Sequence, residues 1–452
     1  MSGEAEYRRL VEKIASEKGL RPEEVEEMVE SRIDEFGGII NRDAAALMVA
    51  KSLGVEVDAG YTDVVHSLKL SDLVAGFQGI DVEGIVIERT PPRTSSRGEL
   101  FARLVIADDT AAVPLIGWGE PAGKLADIEL GDVIAALKVS VRRRGEGVEV
   151  FLTDRSSIRR LGKADPQNLW SLAEKFSART IVLECGGASC GEETCCLYGR
   201  TPRGDPVQLL VPWKTDVEGY RGRIVAASRV TLREGGFLYA RLYRGGVLDV
   251  VGEGGEVGVD SLFTASGVVV GYIVFRERGG RVYVADGESV RGLAVFSDSL
   301  FSVFAGLLGS EVEVLGVRRG ARGDVLSDCA SVTSKGVFRP SYAQSRILGS
   351  HGWVEVDATL LDASVYYRCS GERVYVSLRG LVDDGTGRAR FIASGEEALG
   401  VLLGLEASDL CGYEEVGSII EYSLDEARGG DYLFRGLLDA EGVFYVLEVS
   451  ER

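Results

Sequence analysis

The sequence predicts a mainly β protein, a string of small five-stranded barrels behind a short helical domain. Three observations lead there. Apolar residues recur at helical spacing over residues 1–57, and from about residue 64 the spacing changes to period two. The 59 glycines against 10 prolines suit many short strands joined by tight turns that need positive φ. One order of strands, loops and a short helix also recurs, at intervals of about 90 residues. A chain of 452 residues exceeds what one hydrophobic core usually serves, and about 100–200 residues per domain gives three or four units.

Residues 1–57 read as three short helices. Leu10, Val11 and Ile14 form a stripe in the first. Pro22 opens the second, where Val25, Met28, Val29, Ile33 and Phe36 recur at helical spacing before Gly37-Gly38 stops it. Asn41 caps a third through Leu47 and Ala50 to Gly54. This acidic bundle reads either as a docking module or as a plain cap on the barrels.

In residues 64–162, DVEGIVIERT and Phe101 to Ala107 are strands, DDTAAV is a turn, and Val113 to Ile116 is a third strand. A short helical stretch from Glu120 to Ile128 follows, then the strand VIAALKVSVR, a turn over Arg142 to Gly147, and VEVFLT. That is the order of a five-stranded oligonucleotide-binding barrel, the OB fold. The same order, with decay, places a second barrel over 170–251, starting from a strand at Val207 to Val211. A third spans 259–333. A fourth spans 349–451, with a helix from Glu396 to Leu403 and late strands near Ile419 to Tyr422 and at YLFRGLLDAEGVFYVLEV. Linkers are expected near 160–170, 251–259 and 332–348.

A net charge of -19 repels a polyanion at long range, so any nucleic-acid groove must be locally positive. No run of 18 apolar residues is present, and the acidic start lacks a signal peptide's regions. A cytoplasmic protein without a membrane partner is expected. Seven cysteines, an odd number, do not suggest a secreted disulfide framework. Cys185, Cys190, Cys195 and Cys196 read as lying in a Gly-rich loop, at gaps that fit structural zinc poorly. A buried or locally disulfide-linked hairpin suits them better. No metal and no cofactor is expected.

No P-loop, nucleophile elbow or metalloprotease helix occurs, so no enzyme is expected. The pairs Asp108-Asp109 and Asp383-Asp384 sit at strand-to-strand turns, where Asp accepts backbone hydrogens. A two-metal nuclease would need further converging acids.

Single-strand binders combine a basic track for phosphates with aromatic platforms for bases. In the first barrel Arg89, Arg93 and Arg97 lie in or beside the first loop. Phe101 begins strand two, Trp118 ends strand three, and Lys138, Arg142, Arg143 and Arg144 occupy strand four and its hairpin. Leu104 and Ile106 share one face, and Phe101, Arg103 and Val105 the other; alternation alone leaves open which is inward. The fourth barrel offers Tyr366, Tyr367, Arg368, Arg373, Arg388, Arg390 and Phe391, and the third Tyr272, Phe275, Arg276, Arg278, Tyr283 and Phe296. The second offers Trp213, Lys214, Arg221, Phe237 and Tyr239.

Three stretches carry a resemblance. They are LRPEEVEEMVESRIDEFGG with DAAALMVAKSLGV, then LKLSDLVAGFQGIDVEGIVIERTPPRT with RGELFARLVIADDTAAVPLIGWGEPA, then VYYRCS with LVDDGTGRARFIASGEEALGVLLG. Over residues 10–160 and 350–405 the chain resembles the archaeal replication protein A family, which binds single-stranded DNA through tandem OB folds. The resemblance implies a base-stacking aromatic at Phe101 and a second aromatic further on. Trp118 stands after strand three, while strand four offers Leu137. Relatives often carry a zinc ribbon after YYRC. Here Cys369 is followed by Ser370-Gly371-Glu372 with no second pair, so no zinc is expected. The resemblance also implies roles in replication, repair and recombination, with smaller replication protein A-like subunits and other repair proteins as partners. The alternatives are a protein-docking scaffold of the same fold, or RNA binding.

Overall fold

The computed structural model describes residues 3–35, 42–55, 69–96, 98–212, 216–234, 237–255, 257–287, 289–320, 323–371, 373–412 and 415–452. Phe36, Gly37, Gly38, Asn41, Arg97, Trp213 and Lys214 lie outside these residues. Helices α1 (Gly3–Lys18), α2 (Pro22–Glu35) and α3 (Arg42–Ser52) bury Leu10, Val11, Ile14, Val25, Val29, Ala46 and Val49 against one another. Met28, predicted in the apolar stripe, is instead exposed.

The first barrel contains β1 (Gln78–Thr94), β2 (Leu100–Ala107), β3 (Ala112–Trp118), β4 (Asp132–Arg144), β5 (Gly147–Phe151) and β6 (Ser157–Lys163). The second contains β7 (Thr180–Cys190), β8 (Cys195–Arg200), β9 (Pro206–Val211), β10 (Arg223–Glu234) and β11 (Leu238–Glu253). The third contains β12 (Thr264–Val274), β13 (Gly280–Asp286), β14 (Ser289–Val295), β15 (Ser310–Gly320) and β16 (Gly323–Val337). The fourth contains β17 (Ala343–Gln344), β18 (Gly352–Ser370), β19 (Arg373–Asp383), β20 (Arg388–Ser394), β21 (Asp431–Leu438) and β22 (Val443–Glu451).

All four barrels close by one circuit. Strand one pairs with two, two with three, three with five, five with four, and four returns to one. The pairing of strands three and five is parallel each time, through β3–β5, β9–β11, β14–β16 and β20–β22. This is the OB topology that the strand order predicts. β6 adds to β4 outside the first circuit, and β17 adds to β18 outside the fourth.

The differences from expectation have local causes. The Gly-rich cysteine stretch forms β7 and β8, the first two strands of the second barrel. Its small residues allow close approach: a Cβ on Gly199 would lie 1.9 Å from the Glu184 carbonyl oxygen. Ile419 to Tyr422 is helical, within Val416–Ala427, because Val416, Leu424 and Ala427 bury at helical spacing that four residues could not reveal. The expected linker near 160–170 contains β6 and the helix Pro166–Phe176, whose Leu169 and Trp170 join a core shared by the first two barrels.

Among the described residues three disulfides form: Cys190–Cys195 across a hairpin, Cys196–Cys329 between the second and third barrels, and Cys369–Cys411. Burial pushes the remaining thiol, Cys185, up to about 11, so it stays protonated and inert near neutral pH. No helix among the described residues is long and apolar enough to cross a membrane.

Candidate nucleic-acid interface

The alternation in β2 resolves. Ala102, Leu104 and Ile106 point into the barrel, while Phe101 and Arg103 point out. β3 does likewise, with Val113 and Leu115 inside and Pro114 and Trp118 outside. Register then assembles an exterior stripe. Arg93 on β1 lies opposite Phe101 on β2, and Phe101 lies opposite Trp118 on β3. Ile116, two residues before Trp118 on the same face, lies opposite Phe151 on β5, and Phe151 lies opposite Ser140 on β4. Arg142, two residues further along β4, completes the row.

The contacts follow that register. The Phe101 and Trp118 rings sit 4.6 Å apart between centroids, and Trp118 remains 45% exposed. The Arg93 guanidinium lies 5.2 Å from the Phe101 centroid, and that of Arg142 lies 4.4 Å from Phe151. Neither arginine makes an ion pair among the described residues. The stripe is therefore three aromatic rings, Trp118 exposed and Phe101 and Phe151 half-buried, bracketed on a β surface by two exposed arginines. Gly119, with φ 61°, ends β3 and turns the chain into the short helix Glu120–Gly123, which leaves Trp118 at the open end.

Other predicted residues are placed differently. Arg89 lies within β1, where its Nε and Nη2 donate to Asp249 at 2.8 Å each, so it holds the second barrel and cannot reach a strand. The burial of both groups is the physical reason for this correction. Arg144 pairs with Glu149 on the neighbouring strand. Arg143 is exposed opposite Val148, off the stripe. Lys138 sits at an irregularity of β4 with φ 53°, its amide donating to Asp81 at 2.8 Å. Arg97 lies outside the described residues. Sequence reasoning missed Phe151. The signal was its alternation with Val148 and Val150, which point inward.

The fourth barrel departs further from expectation. Phe391 is 1% exposed and packs on Phe434 in the core, because it alternates with outward Arg390 and Ile392. Arg368 is buried, donating to the Gly279 carbonyl at 3.0 Å and pairing with Asp298 at 2.8 Å on the third barrel. Arg373 bonds Ser302, also on the third barrel. These two arginines fasten barrels together. Tyr366 and Tyr367 are exposed, with Arg379 lying 4.9 Å over Tyr366. Arg390 is exposed.

The aromatic positions of the first barrel have topological counterparts here. Ser377 lies opposite Ser394 as Phe101 lies opposite Trp118, and Gly395, with φ 95°, follows Ser394 as Gly119 follows Trp118. Ile392 lies opposite Tyr445 as Ile116 lies opposite Phe151. The serine pair binds β12 of the third barrel. Ser394 Oγ accepts from Tyr272 N–H at 2.8 Å and donates to its carbonyl at 3.0 Å, and Val274 N–H donates to Ser377 Oγ at 3.3 Å. In the second barrel the outward Cys196 and Tyr198 are fully buried against Phe263 and Cys329 of the third.

The aspartates at the turns perform one structural task in two barrels. Asp108 accepts from Thr110 and Ala111 amides at 2.8 Å each and from Leu70 N–H at 2.9 Å. Asp384 accepts from Thr386, Gly387 and Ile347 amides at 2.7–3.0 Å. Burial pushes both carboxyls up, but these hydrogen bonds outweigh it and hold both below the ordinary value of 3.8.

No family model and no curated protein matches the chain. Solved structures do. A replication factor A related protein from Methanobacterium thermoautotrophicum is 32% identical, over 21% of this chain and 88% of that one, with a TM-score of 0.19. A domain of replication protein A from Methanococcus maripaludis is 22% identical, over 21% and 94%, at 0.18. A replication protein A heterotrimer bound to single-stranded DNA contains a chain 12% identical, over 85% and 95%, at 0.29. The identity over most of the methanobacterial protein carries the assignment: this chain belongs to the replication protein A-like family of OB-fold proteins.

Proposed function

We propose that the chain binds single-stranded DNA on the outer face of the first barrel. The observation behind this reading is the row Arg93, Phe101, Trp118, Phe151 and Arg142. Rings at this spacing offer stacking surfaces to successive bases, worth about 1–3 kcal/mol each and shared by every base. The flanking guanidiniums meet phosphates, and local positive charge offsets the repulsion of an acidic chain once contact is made. A stacking row suits unpaired bases and not a duplex, whose base faces are hidden from it. In this reading the protein protects single strands in replication, repair and recombination. It works on chromosomal DNA in the cytoplasm, beside smaller subunits of its own family. It has no catalytic chemistry, a reading supported by the commitment of Asp108 and Asp384 to their turns.

The joints of the other barrels favour one addition. The faces of the second and fourth barrels that could stack bases instead hold the third, so these barrels act as a scaffold that presents the first. The test is a titration of the full chain with labelled oligothymidine at several salt concentrations. The parent is expected to bind single strands far more tightly than a blunt duplex. The double variant Phe101→Ala/Trp118→Ala is expected to lose at least tenfold. Equal affinity for duplex and single strand, or an unchanged double variant, would overturn the proposal.

A further inference from the structure

The four barrels meet at two broad joints and a narrow one. The first and second share a continuous core, and Arg89 pairs with Asp249 across it. At the joint of the third and fourth, Val268, Val270 and Ile273 meet Ile392, Leu437 and Tyr445, and Arg368 and Ser394 add polar bonds. Between the second and third, the fully buried cluster among the described residues is small. It holds Cys196 and Tyr198 of β8, Phe263 just before β12, and Cys329 of β16. Two of these four are the bridged pair. The rest of the apolar contact is the Tyr198 and Phe263 rings, 5.6 Å between centroids, with Phe237 5.1 Å from Phe263. Arg200 reaches Asp260 at 2.6 Å, and Ser189 Oγ donates to the Cys329 carbonyl. A joint of this size removes little apolar surface from water, so the Cys196–Cys329 bond carries much of what holds it. That bond ties residues 133 apart, and a bridge over so long a loop restricts the open ensemble strongly.

The three bridges differ in access. Cys369 and Cys411 are both exposed, Cys190 is exposed while Cys195 is buried, and Cys196 and Cys329 are both fully buried. Thiol–disulfide exchange needs a thiolate to approach a sulfur, so the exposed bridges react first. Cys190–Cys195 staples the β7–β8 hairpin, and the residue after Cys195 is Cys196. The tip of that hairpin lies on the backbone of β16, where a Cβ on Gly191 would sit 2.0 Å from the Asp328 carbonyl oxygen. An accessible bridge thus fixes the hairpin that carries half of the buried one.

We propose that Cys196–Cys329 is a redox latch on a hinge between two halves of the molecule, the first two barrels and the last two. In the oxidised chain the latch seals Tyr198 and Phe263 into the joint. In the reduced chain the halves separate about the segment between Glu253 and Ser261, and each half keeps its own core. A dithiol is the reductant. One of its thiolates attacks Cys190 Sγ, and Cys195 leaves as a thiolate. The second thiolate attacks the mixed disulfide, releases Cys190 and closes the dithiol into a cyclic disulfide. The same two steps, on a hairpin no longer stapled, cleave Cys196–Cys329. Each bridge takes two electrons, and the two protons lost by the dithiol end on the two cysteines. The latch is independent of the first-barrel reading and stands or falls separately from it.

The test uses the full chain purified without reductant and then taken through a dithiothreitol series, with alkylation and peptide mapping at each step. Mapping is expected to find Cys196–Cys329 in the oxidised chain and to show it opening last of the three bridges. Small-angle X-ray scattering is expected to give a radius of gyration about a tenth larger once it opens, with the strand signal in circular dichroism unchanged. Cys196→Ala/Cys329→Ala is expected to have the larger radius with and without reductant. Cys369→Ser/Cys411→Ser is expected to follow the parent in both states. If Cys196→Ala/Cys329→Ala does not fold, the reduced parent decides, because it carries no substitution. Absence of the bond from the oxidised chain overturns the proposal, as does its opening before Cys190–Cys195. So does an unchanged radius after its reduction, or a radius that grows only with loss of the strand signal. Expansion of Cys196→Ala/Cys329→Ala on adding reductant also overturns it.

Discussion

The outer faces of the first and fourth barrels occupy the same place in the same topology and do opposite things. In the first, Phe101 and Trp118 sit opposite each other, with Phe151 one strand along, and the face is open. In the fourth, Ser377, Ser394 and Tyr445 take those positions, and the face is closed over β12. Two large rings leave no room for a neighbouring strand to lie against the sheet. Two hydroxyls sit low enough for a neighbouring strand to lie across them, and they satisfy its backbone groups. One fold thus becomes an open aromatic face or a joint through the choice of residues at two paired positions.

If joints and binding surface are separate, the largest effect comes from breaking a joint. Arg89→Ala leaves Asp249 buried and unpaired between the first two barrels. It should cost about 3–5 kcal/mol of stability, read by denaturant unfolding. It should leave the salt slope of DNA binding unchanged, because Arg89 reaches no phosphate. A lowered slope with unchanged stability would return Arg89 to the binding track.

Next is the open face. Phe101→Ala should weaken single-strand binding by about 1–3 kcal/mol with little change in salt slope. Arg93→Glu/Arg142→Glu should reduce the slope, by about 0.7 for each phosphate that is no longer neutralised. The two variants separate stacking from charge. If Phe101→Ala instead lowers the melting temperature steeply at unchanged affinity, the ring serves packing.

A smaller effect is expected at the closed face. Ser394→Ala removes the partner of both Tyr272 backbone groups and should cost about 1–3 kcal/mol of stability, without weakening binding to the first barrel. A loss of oligothymidine affinity with unchanged stability would mean that the fourth face binds DNA after all.

The smallest is a pH effect shared by both barrels. Asp108 and Asp384 have folded pKa values below 3.8, so their stabilisation is fully present above that pH and is lost as pH falls through the lower folded values. Asp108→Asn and Asp384→Asn should flatten the acid limb of a stability profile to a similar degree. A change in only one variant would break the equivalence of the two turns.

The strand order and the turn aspartates were legible because both are local. Alternation within a few residues marks a strand, and Asp before Thr or Gly marks a turn. Phe101 and Trp118 were legible as candidates because each sits at a strand end, although their outward direction and direct pairing needed register. Arg89 was not legible as a joint, since its partner lies 160 residues away. Ser377 and Ser394 carried no signal, since a serine declares nothing until its neighbour is known. Phe391 misled because it is an aromatic between Arg390 and Ile392, and one-residue alternation decides inward from outward. The same holds for Arg368, whose carbonyl and carboxylate partners belong to another barrel. The cysteine stretch read as a loop because glycine weakens strand patterning where backbones pack closely.

The central claim is that a strand lies on the first barrel's open face. Photocrosslinking with a halogenated oligothymidine, followed by peptide mapping, tests it most directly. Adducts are expected on Phe101, Trp118 or Phe151 and to disappear in Phe101→Ala/Trp118→Ala. Adducts absent from all three residues in the parent, at an oligonucleotide concentration that saturates binding, would contradict it.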